Sequence, residues 1–151
     1  MVRLALILAA FCLITWPCEA GKLGPEIYDT KANGKILVAE AIQRAKEENK
    51  HVLLEFGANW CSWCHLLHGL FASDRAIREK LKTSFVLVMI DVNEDRNADL
   101  NVQYGKPTLR GLPVLVVLDA EGNQVFTQET GAFEKGKKHD PEKVLAFLKR
   151  W

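Results

Sequence analysis

Apolar and polar positions along this chain follow two patterns, one typical of buried strands and the other of helices. Three runs of strand length are apolar nearly throughout, as in strands covered on both faces: 51–56, 85–90 and 113–118. After the third run, residues 119–123 are rich in turn-forming types, and 124–128 continue as the second strand of a hairpin. The pattern therefore predicts four strands.

Between the strands, apolar residues recur every three or four positions, which is the spacing of one helix face. This spacing predicts a helix from Lys35, a second from Cys61, and a restart after the capping pair at 73–74. A last helix follows Asp140-Pro141, where an Asp cap precedes Pro at the first helical position. The polar stretch between the second and third strands predicts a short helix or a loop.

Strands that alternate with helices predict an α/β fold, with a central mixed sheet and helices on both of its faces. The sheet is expected to be parallel in part, with the last two strands as an antiparallel edge. Residues 21–33 have no clear period and are expected to cross the domain surface as a leader. Because the chain shows no repeat and no low-complexity tract, residues 21–151 are expected to form one domain.

The first residues carry a separate pattern, in which an early positive charge precedes an apolar run over 4–14 and a small residue at Ala20. This order is typical of a signal peptide, so residues 1–20 are expected to be cleaved during export, with no stable membrane insertion afterwards. An uncleaved anchor is disfavoured because a spanning helix needs roughly 20 apolar residues. A lipoprotein signal is another alternative, but neither Cys12 nor Cys18 follows a small residue.

Charge and cysteine content narrow the possible partners. The formal net charge is +1, which gives no indication of a nucleic-acid or membrane-surface partner. Of four cysteines, Cys12 and Cys18 lie in the predicted signal, which leaves Cys61 and Cys64. A secreted domain stabilised by disulfides would show several distant pairs, and one close pair closes too small a loop to stabilise much. We therefore expect the remaining pair to serve chemistry.

The two remaining cysteines lie three positions apart, where a predicted strand passes into a predicted helix. The first turn of a helix offers unpaired N–H groups and the positive end of the helix dipole, and both stabilise a thiolate. Since the thiolate attacks disulfides, Cys61, first on the helix and nearest solvent, is the predicted nucleophile. Cys64, one turn further in, is predicted to resolve the mixed disulfide. A packed or metal-bound pair is the alternative.

The sequence around these cysteines, 58–65 with 71–74, resembles the thioredoxin superfamily, in the branch whose motif ends in Cys-His. The similarity runs from about Lys35 to the C-terminus. It implies a thioredoxin-like fold and a protein-disulfide oxidoreductase that exchanges a Cys61/Cys64 dithiol or disulfide with protein substrates or a redox partner. No cofactor or metal is implied. We expect an exported monomer in a bacterial periplasm, with a secretory lumen or secretion as the alternatives.

Glu55 is a carboxylate within an apolar strand, where it is costly unless it has a partner or stays protonated. The resemblance implies that an acid at this position relays a proton to the buried cysteine, which makes Glu55 a candidate catalytic residue. The alternative is a glutamate at a strand edge that points to solvent. Met89 and Gly57 depart from the commonest family pattern, which has lysine and tryptophan there, so different electrostatics are expected.

Pro113 opens a buried strand, a position where proline is tolerated. The resemblance implies that the Leu112–Pro113 bond is cis, that it faces the cysteine pair and that the backbone beside it pairs with substrate peptide. A trans proline is the alternative. Trp60 and Trp63 are predicted to shield the disulfide and to offer substrate an apolar contact, with simple packing of Trp60 as the alternative.

The histidines beside the motif open a second class of function, a thioredoxin-fold carrier of metal or haem. Residues 61–65 match the c-type haem attachment pattern, although the motif follows a buried strand and the chain is not all helical. Zinc or copper on both cysteines, His65 and His68 is disfavoured because one helix does not easily arrange four ligands tetrahedrally. We expect that His65 tunes the thiolate and that His68 is an ordinary helix residue.

Overall fold

A computed structural model describes residues 24–151. The predicted signal at 1–20, and with it Cys12 and Cys18, lies outside the described residues. The helices are α1 Gly34–Glu48, α2 Ser62–Ser73, α3 Arg75–Ser84, α4 Ala98–Gln103 and α5 Pro141–Leu148. The strands are β1 His51–Gly57, β2 Phe85–Asp91, β3 Val114–Leu118, β4 Gln124–Glu129, β5 Glu134–Lys135 and β6 Lys138–His139. Within these residues, no helix combines the length and apolar composition that a membrane span requires.

Four strands form one mixed sheet in the order β2-β1-β3-β4. Strand β1 runs parallel to β2, in a register that places Leu54 beside Val88. On its other side β1 runs antiparallel to β3, which places Leu54 beside Val116. Strand β4 pairs antiparallel with β3 and forms one edge of the sheet. The predicted mixed sheet with an antiparallel hairpin at its edge is confirmed.

Helices cover both faces of this sheet, because alternate residues of a strand point to opposite sides and both sets are apolar here. One face packs against α1 and α4 through a cluster that includes Val38, Leu54, Leu100 and Val116. The other face packs against α2, α3 and α5 through a cluster that includes Leu53, Leu67, Ile77, Val117 and Leu148. The predicted α/β layering follows from these two clusters.

Side chains that the sequence marks as caps lie at the helix starts. Asp74 ends α2 and begins α3, where its carboxylate accepts a hydrogen bond from the backbone N–H of Ile77 at 3.0 Å. The carboxylate of Asp140 accepts from the backbone N–H of Glu142 at 3.0 Å, and Pro141 takes the first helical position of α5. Each cap satisfies one N–H group that the helix itself leaves unpaired.

Two segments differ from what the sequence predicts. The leader at 21–33 does not simply cross the surface, because Tyr28 within it is only 1% exposed and packs into the interior. A small hairpin, β5 with β6, follows the main sheet. Its strands have two residues each and are rich in lysine, so they give no alternating apolar pattern. Both segments place a side chain beside the part of the chain that carries the two cysteines.

Candidate active site

The cysteine pair lies at the junction between β1 and α2. Strand β1 ends at Gly57 and α2 begins at Ser62, with Cys61 as its N-cap. The two cysteines form a disulfide with their Cα atoms 5.3 Å apart, and the Cys61 sulfur accepts a hydrogen bond from the backbone N–H of Cys64 at 3.2 Å. Cys61 is 6% exposed and Cys64 is fully buried. Cys61 is therefore the less buried residue of the pair, although it is more enclosed than its place at a helix start suggests.

Glu55 lies in the middle of β1 and is fully buried, so the alternative of a glutamate pointing to solvent is wrong. In the sheet it stands between Met89 of β2 and Leu115 of β3. Its Oε1 accepts a hydrogen bond from the Tyr28 hydroxyl at 2.8 Å, and its Oε2 has no partner among the described residues. Burial raises the pKa of Glu55 from its ordinary value of 4.5 to about 8, even though the Tyr28 hydrogen bond acts in the opposite direction.

Tyr28 reaches this interior position because Gly57 has no side chain. A Cβ built on Gly57 would collide with the Tyr28 hydroxyl, and it would lie 2.6 Å from Tyr28 Cζ and 2.7 Å from the sulfur of Cys64. The phenol and the sulfur therefore lie side by side over the glycine. Burial, followed by the neighbouring charge of Glu55, raises the pKa of Tyr28, so this phenol stays protonated.

Asn59, in the turn before the cysteines, holds the leader in place. Its side-chain oxygen accepts hydrogen bonds from the backbone N–H groups of Ile27 and Tyr28, both at 2.9 Å. Its side-chain nitrogen donates to the backbone oxygen of Tyr28, also at 2.9 Å. These three bonds tie the leader to the same turn that carries Cys61.

The Leu112–Pro113 bond is cis, as the resemblance implies. Leu112 is half-buried and packs against the cluster formed by Tyr28, Cys61 and Cys64. Pro113 is buried at the start of β3, and its backbone oxygen accepts a hydrogen bond from the hydroxyl of Thr130. The segment that precedes β3 therefore borders the cysteine pair.

Comparison with known proteins agrees with this geometry. Residues 38–147, most of the chain, match the model of the thioredoxin-like domain family. This chain belongs to the thioredoxin-like family. The fold and the family predicted from the sequence are confirmed.

Two relatives carry names from disulfide chemistry. The chain is 34% identical over 113 residues to the thiol:disulfide interchange protein DsbD of Ralstonia nicotianae, which covers 75% of this chain but only 17% of that protein. A solved structure of a disulphide isomerase from Xylella fastidiosa Temecula1 is 31% identical, with a TM-score of 0.74, and covers 82% of this chain and 95% of that one. A DsbH oxidoreductase structure is 29% identical, with a TM-score of 0.51, and covers 65% of this chain and 71% of that one.

The two tryptophans of the thioredoxin-like motif differ in their surroundings. Trp60 is 63% exposed, and its ring nitrogen donates a hydrogen bond to the side-chain oxygen of Asn93 at 2.9 Å. Trp63 is half-buried and packs against the cysteine cluster. It also stands edge-on to His139 of β6, with ring centroids 5.0 Å apart. Trp60 is therefore available to a partner, while Trp63 packs between the cysteines and the small hairpin.

The histidines are held in ways that the sequence does not reveal. His65 Nε2 donates to the backbone oxygen of Asn59 at 2.8 Å, so the ring is bound to the residue that holds the leader. His68 is half-buried, and burial, followed by the charge of His65, lowers its pKa. Within residues 24–151, no three side chains of His, Cys, Asp or Glu come together as a metal ion requires.

Sequence reasoning brought Glu55 and the cysteines to one place but missed Tyr28, Asn59 and His139. Tyr28 lies in a segment without period, where an aromatic residue gives no sign of burial. The signal that could have found it is Gly57. A glycine where the family commonly has tryptophan leaves a space beside the cysteines that another large side chain must fill.

Proposed function

We propose that this chain is an exported protein-disulfide oxidoreductase that exchanges the Cys61–Cys64 dithiol or disulfide with protein substrates or with a redox partner. The observation that carries the proposal is the disulfide at the start of α2, with Cys61 more exposed than Cys64. The names of the relatives, in disulfide interchange and disulfide isomerisation, support the same chemistry. The whole DsbD protein is far longer than this chain, so its partners are not carried over.

The exchange proceeds in two displacements. The thiolate of Cys61 attacks one sulfur of a substrate disulfide, a bond joins Cys61 to the substrate, and the other substrate sulfur leaves and takes up a proton. Cys64 then gives up its proton and attacks the sulfur of Cys61. The bond from Cys61 to the substrate breaks, the substrate is reduced by two electrons, and the protein keeps the disulfide. The reverse order transfers the disulfide to a substrate dithiol.

We propose that the polar helix start favours Cys61 as the attacking sulfur. The backbone N–H of Cys64 donates to the Cys61 sulfur, and the dipole of α2 adds positive potential there. Cys64, fully buried, has neither advantage and is the resolving sulfur. Glu55, buried near it, is the residue that takes or returns its proton.

Protein substrates are proposed to dock on the surface around Cys61. The exposed ring of Trp60 offers apolar area, and the Leu112–Pro113 segment offers backbone beside the disulfide. Backbone pairing would accept many sequences, because main-chain hydrogen bonds do not distinguish side chains. Trp63 contributes by packing under the pair. A monomer remains the expected state.

Export is proposed from the first residues of the chain. Residues 1–20 have the order of a signal peptide, and residues 21–151 would then be the mature thioredoxin-like domain, with its matched region at 38–147. The likeness to DsbD and DsbH proteins favours the periplasm as the compartment, since lasting disulfide chemistry belongs to oxidising compartments.

The experiment that tests this proposal follows the two sulfurs separately. Cys61→Ala should abolish disulfide exchange with a reduced or oxidised protein substrate, because no attacking thiolate remains. Cys64→Ala should accumulate a mixed disulfide between Cys61 and the substrate, visible by mass spectrometry. In the reduced wild-type protein, iodoacetamide should modify Cys61 well before Cys64.

Ser62→Ala is the matched control, because Ser62 is exposed between the cysteines and has no part in the exchange. It should retain wild-type rates. Full exchange by Cys61→Ala, or equal alkylation of both thiols in the wild type, would show that the assigned roles are wrong.

A further inference from the structure

Resolution of the mixed disulfide requires a proton to leave a site that water does not reach. Cys64 and Glu55 are both fully buried, and Tyr28, itself 1% exposed, packs in the same cluster as Cys64. Its hydroxyl donates to Glu55 Oε1 at 2.8 Å on one side. On the other side the phenol lies against the sulfur of Cys64, over the bare backbone of Gly57. One phenol therefore donates to the carboxyl group and packs beside the side chain of the resolving cysteine.

We propose that the Tyr28 hydroxyl carries the proton from the Cys64 thiol to the Glu55 carboxylate during resolution, and back again in the reverse reaction. This inference rests on the proposed exchange of the Cys61–Cys64 pair. It gives a residue of the leader, outside the cysteine motif, a direct part in the chemistry.

The S–H bond of Cys64 breaks and its proton passes to the Tyr28 oxygen, while the hydroxyl proton of Tyr28 passes to Glu55 Oε1. The electron pair left on Cys64 forms the bond to the Cys61 sulfur, and the bond from Cys61 to the substrate breaks. The substrate sulfur leaves with that electron pair as a thiolate. Tyr28 ends as it began, and Glu55 holds the proton.

The energetics of the transfer favour a relay over a long-lived tyrosinate. The pKa of Glu55 is raised by burial to about 8, so its carboxylate is a stronger proton acceptor than that of an ordinary glutamate. The pKa of Tyr28 is raised by its burial, so both protons must move together rather than through a charged phenolate. Because Glu55 accepts a proton only when it is ionised, the relay should become faster as the pH rises toward about 8.

Other ionisable groups near Tyr28 and Cys64 already have partners. Asp91, at the end of β2, faces Tyr28 and is buried, but its carboxylate pairs with Arg96 at 3.1 Å. His65 on α2 is bound to the backbone oxygen of Asn59. Strand β3 faces Glu55 with an apolar residue, Leu115. Glu55 is therefore the acceptor that remains for a proton from Cys64.

The experiment measures the two displacements separately with glutathione disulfide, so that it does not depend on a protein substrate. Reduced protein is mixed rapidly with the reagent, quenched with acid and analysed by mass spectrometry. The adduct on Cys61 reports attack, and its loss to the Cys61–Cys64 disulfide reports resolution. Tyr28→Phe should slow resolution on the order of 100-fold, the usual range for losing a proton-transfer group, and leave attack unchanged.

Tyr104→Phe is the matched control. Tyr104 is the other tyrosine of the chain and is also buried, but it packs against Phe56 on the opposite face of the sheet. The same loss of a hydroxyl there should not alter either step. Thermal unfolding of the oxidised proteins verifies that both variants are folded.

A packing role for Tyr28 is separated from proton transfer by three measurements. In mixtures of light and heavy water, resolution by the wild type should depend on the isotope fraction along a curve, which indicates two moving protons, and Tyr28→Phe should give a straight line. The wild-type pH profile should follow the ionisation of Glu55, and this dependence should disappear in Tyr28→Phe. Because the relay acts through Glu55, adding Tyr28→Phe to Glu55→Gln should cause little further slowing.

If Tyr28→Phe does not fold, a second experiment tests the same relay. In the Tyr104→Phe background, fluorotyrosine replaces only Tyr28, since the chain has two tyrosines. It keeps the shape of the ring and makes the hydroxyl more acidic, so the rate of resolution should change while its pH dependence still follows Glu55. Resolution by Tyr28→Phe at the wild-type rate, or additive effects with Glu55→Gln, would overturn the relay. A wild-type protein that forms no adduct on Cys61 would overturn the proposed function itself.

Discussion

Gly57 is the residue on which the geometry of the site depends. Its missing side chain leaves room for both the Tyr28 phenol and the Cys64 sulfur, each within van der Waals reach of the same backbone. The phenol in turn supplies the one hydrogen bond that Glu55 receives from a side chain among the described residues. A buried carboxylate without that donor would be costlier still. One glycine therefore determines how a thiol, a phenol and a carboxyl share a closed space.

Gly57→Ala should destabilise the protein by about 1–3 kcal/mol, the usual cost of inserting a methyl group into a packed interior. The added Cβ would lie 2.6 Å from Tyr28 Cζ and 2.7 Å from the sulfur of Cys64, so the phenol has to move away. Urea unfolding of the oxidised protein measures the loss of free energy. Displacement of the phenol should also weaken its hydrogen bond to Glu55.

Gly69→Ala is the matched control for this change. Gly69 lies within α2, and a Cβ there would meet no atom within 4 Å. The substitution should raise the unfolding free energy by about 0.5–1 kcal/mol, since alanine is the better helix former. Equal stability of Gly57→Ala and the wild type would show that the interior accommodates the methyl group without moving Tyr28.

At this scale the sequence is a partial guide. Cys61, Cys64 and Glu55 could be predicted because local patterns indicate their chemistry. The cysteines form a close pair at a helix start, and the glutamate is a carboxylate in an apolar strand. Tyr28 could not be predicted, because its burial depends on a glycine distant in sequence and on three hydrogen bonds from Asn59. Contacts between distant segments leave no periodic signal.

Among the elements, the leader is the one whose position is maintained by side chains rather than by secondary structure. Asn59 supplies two accepted bonds and one donated bond to its backbone, much as a neighbouring strand would. The same residue uses its backbone oxygen to hold His65 on α2. Leader, turn and redox helix are therefore coupled through one asparagine.

Asn59→Ala should release the leader near Tyr28 while the sheet stays intact. Each lost hydrogen bond contributes about 0.5–1.5 kcal/mol, and two backbone N–H groups lose their acceptor. Hydrogen exchange at the amides of Ile27 and Tyr28 should therefore accelerate strongly, because local opening no longer requires breaking their hydrogen bonds to Asn59. Amides of β1 should exchange as in the wild type.

Asn33→Ala provides the comparison for this experiment. Asn33 caps α1, where its side chain accepts a hydrogen bond from the backbone N–H of Lys35 at 3.0 Å. It lies a few residues after the part of the leader that Asn59 holds. Its loss should loosen the start of α1 and leave the amides of Ile27 and Tyr28 protected. Unchanged exchange at these two amides in Asn59→Ala would mean that packing of the phenol alone fixes the leader.

Most elements could be predicted because their apolar periods agree with their positions in the fold. The helix restart at Asp74 and the α5 start at Pro141 are marked by capping chemistry that acts within one turn. The hairpin of β5 and β6 could not be predicted. Its strands are polar, and they hold together partly because His139 packs against Trp63 and donates to its backbone oxygen at 3.2 Å.

For the whole molecule, the site and the stability of the fold are linked through Glu55. Glu55 lies on the central strand β1, paired with β2 on one side and β3 on the other, in a sheet that carries an apolar cluster on each face. Its protonation therefore changes the free energy of the folded state as a whole. Two histidines, the half-buried His68 and the buried His139, have pKa values that burial lowers.

These groups act on stability in opposite directions. Between pH 4.5 and about 8, the folded protein holds a proton on Glu55 that the unfolded chain releases, so the unfolding free energy falls as pH rises through this window and is level above it. Below their ordinary value of 6.5, His68 and His139 take up protons more readily in the unfolded chain. Their contribution therefore rises with pH until about 6.5.

Glu55→Gln removes the first contribution and leaves the second. Above pH 6.5 the histidine contribution is level, so the wild type should lose about 1.5 kcal/mol of unfolding free energy toward pH 8, while Glu55→Gln should stay nearly level. Urea unfolding of the oxidised proteins across this range measures the difference. Glu79→Gln, on the exposed surface of α3, should keep the wild-type slope. A wild-type slope in Glu55→Gln would mean that another group titrates and that Glu55 is ionised in the folded protein.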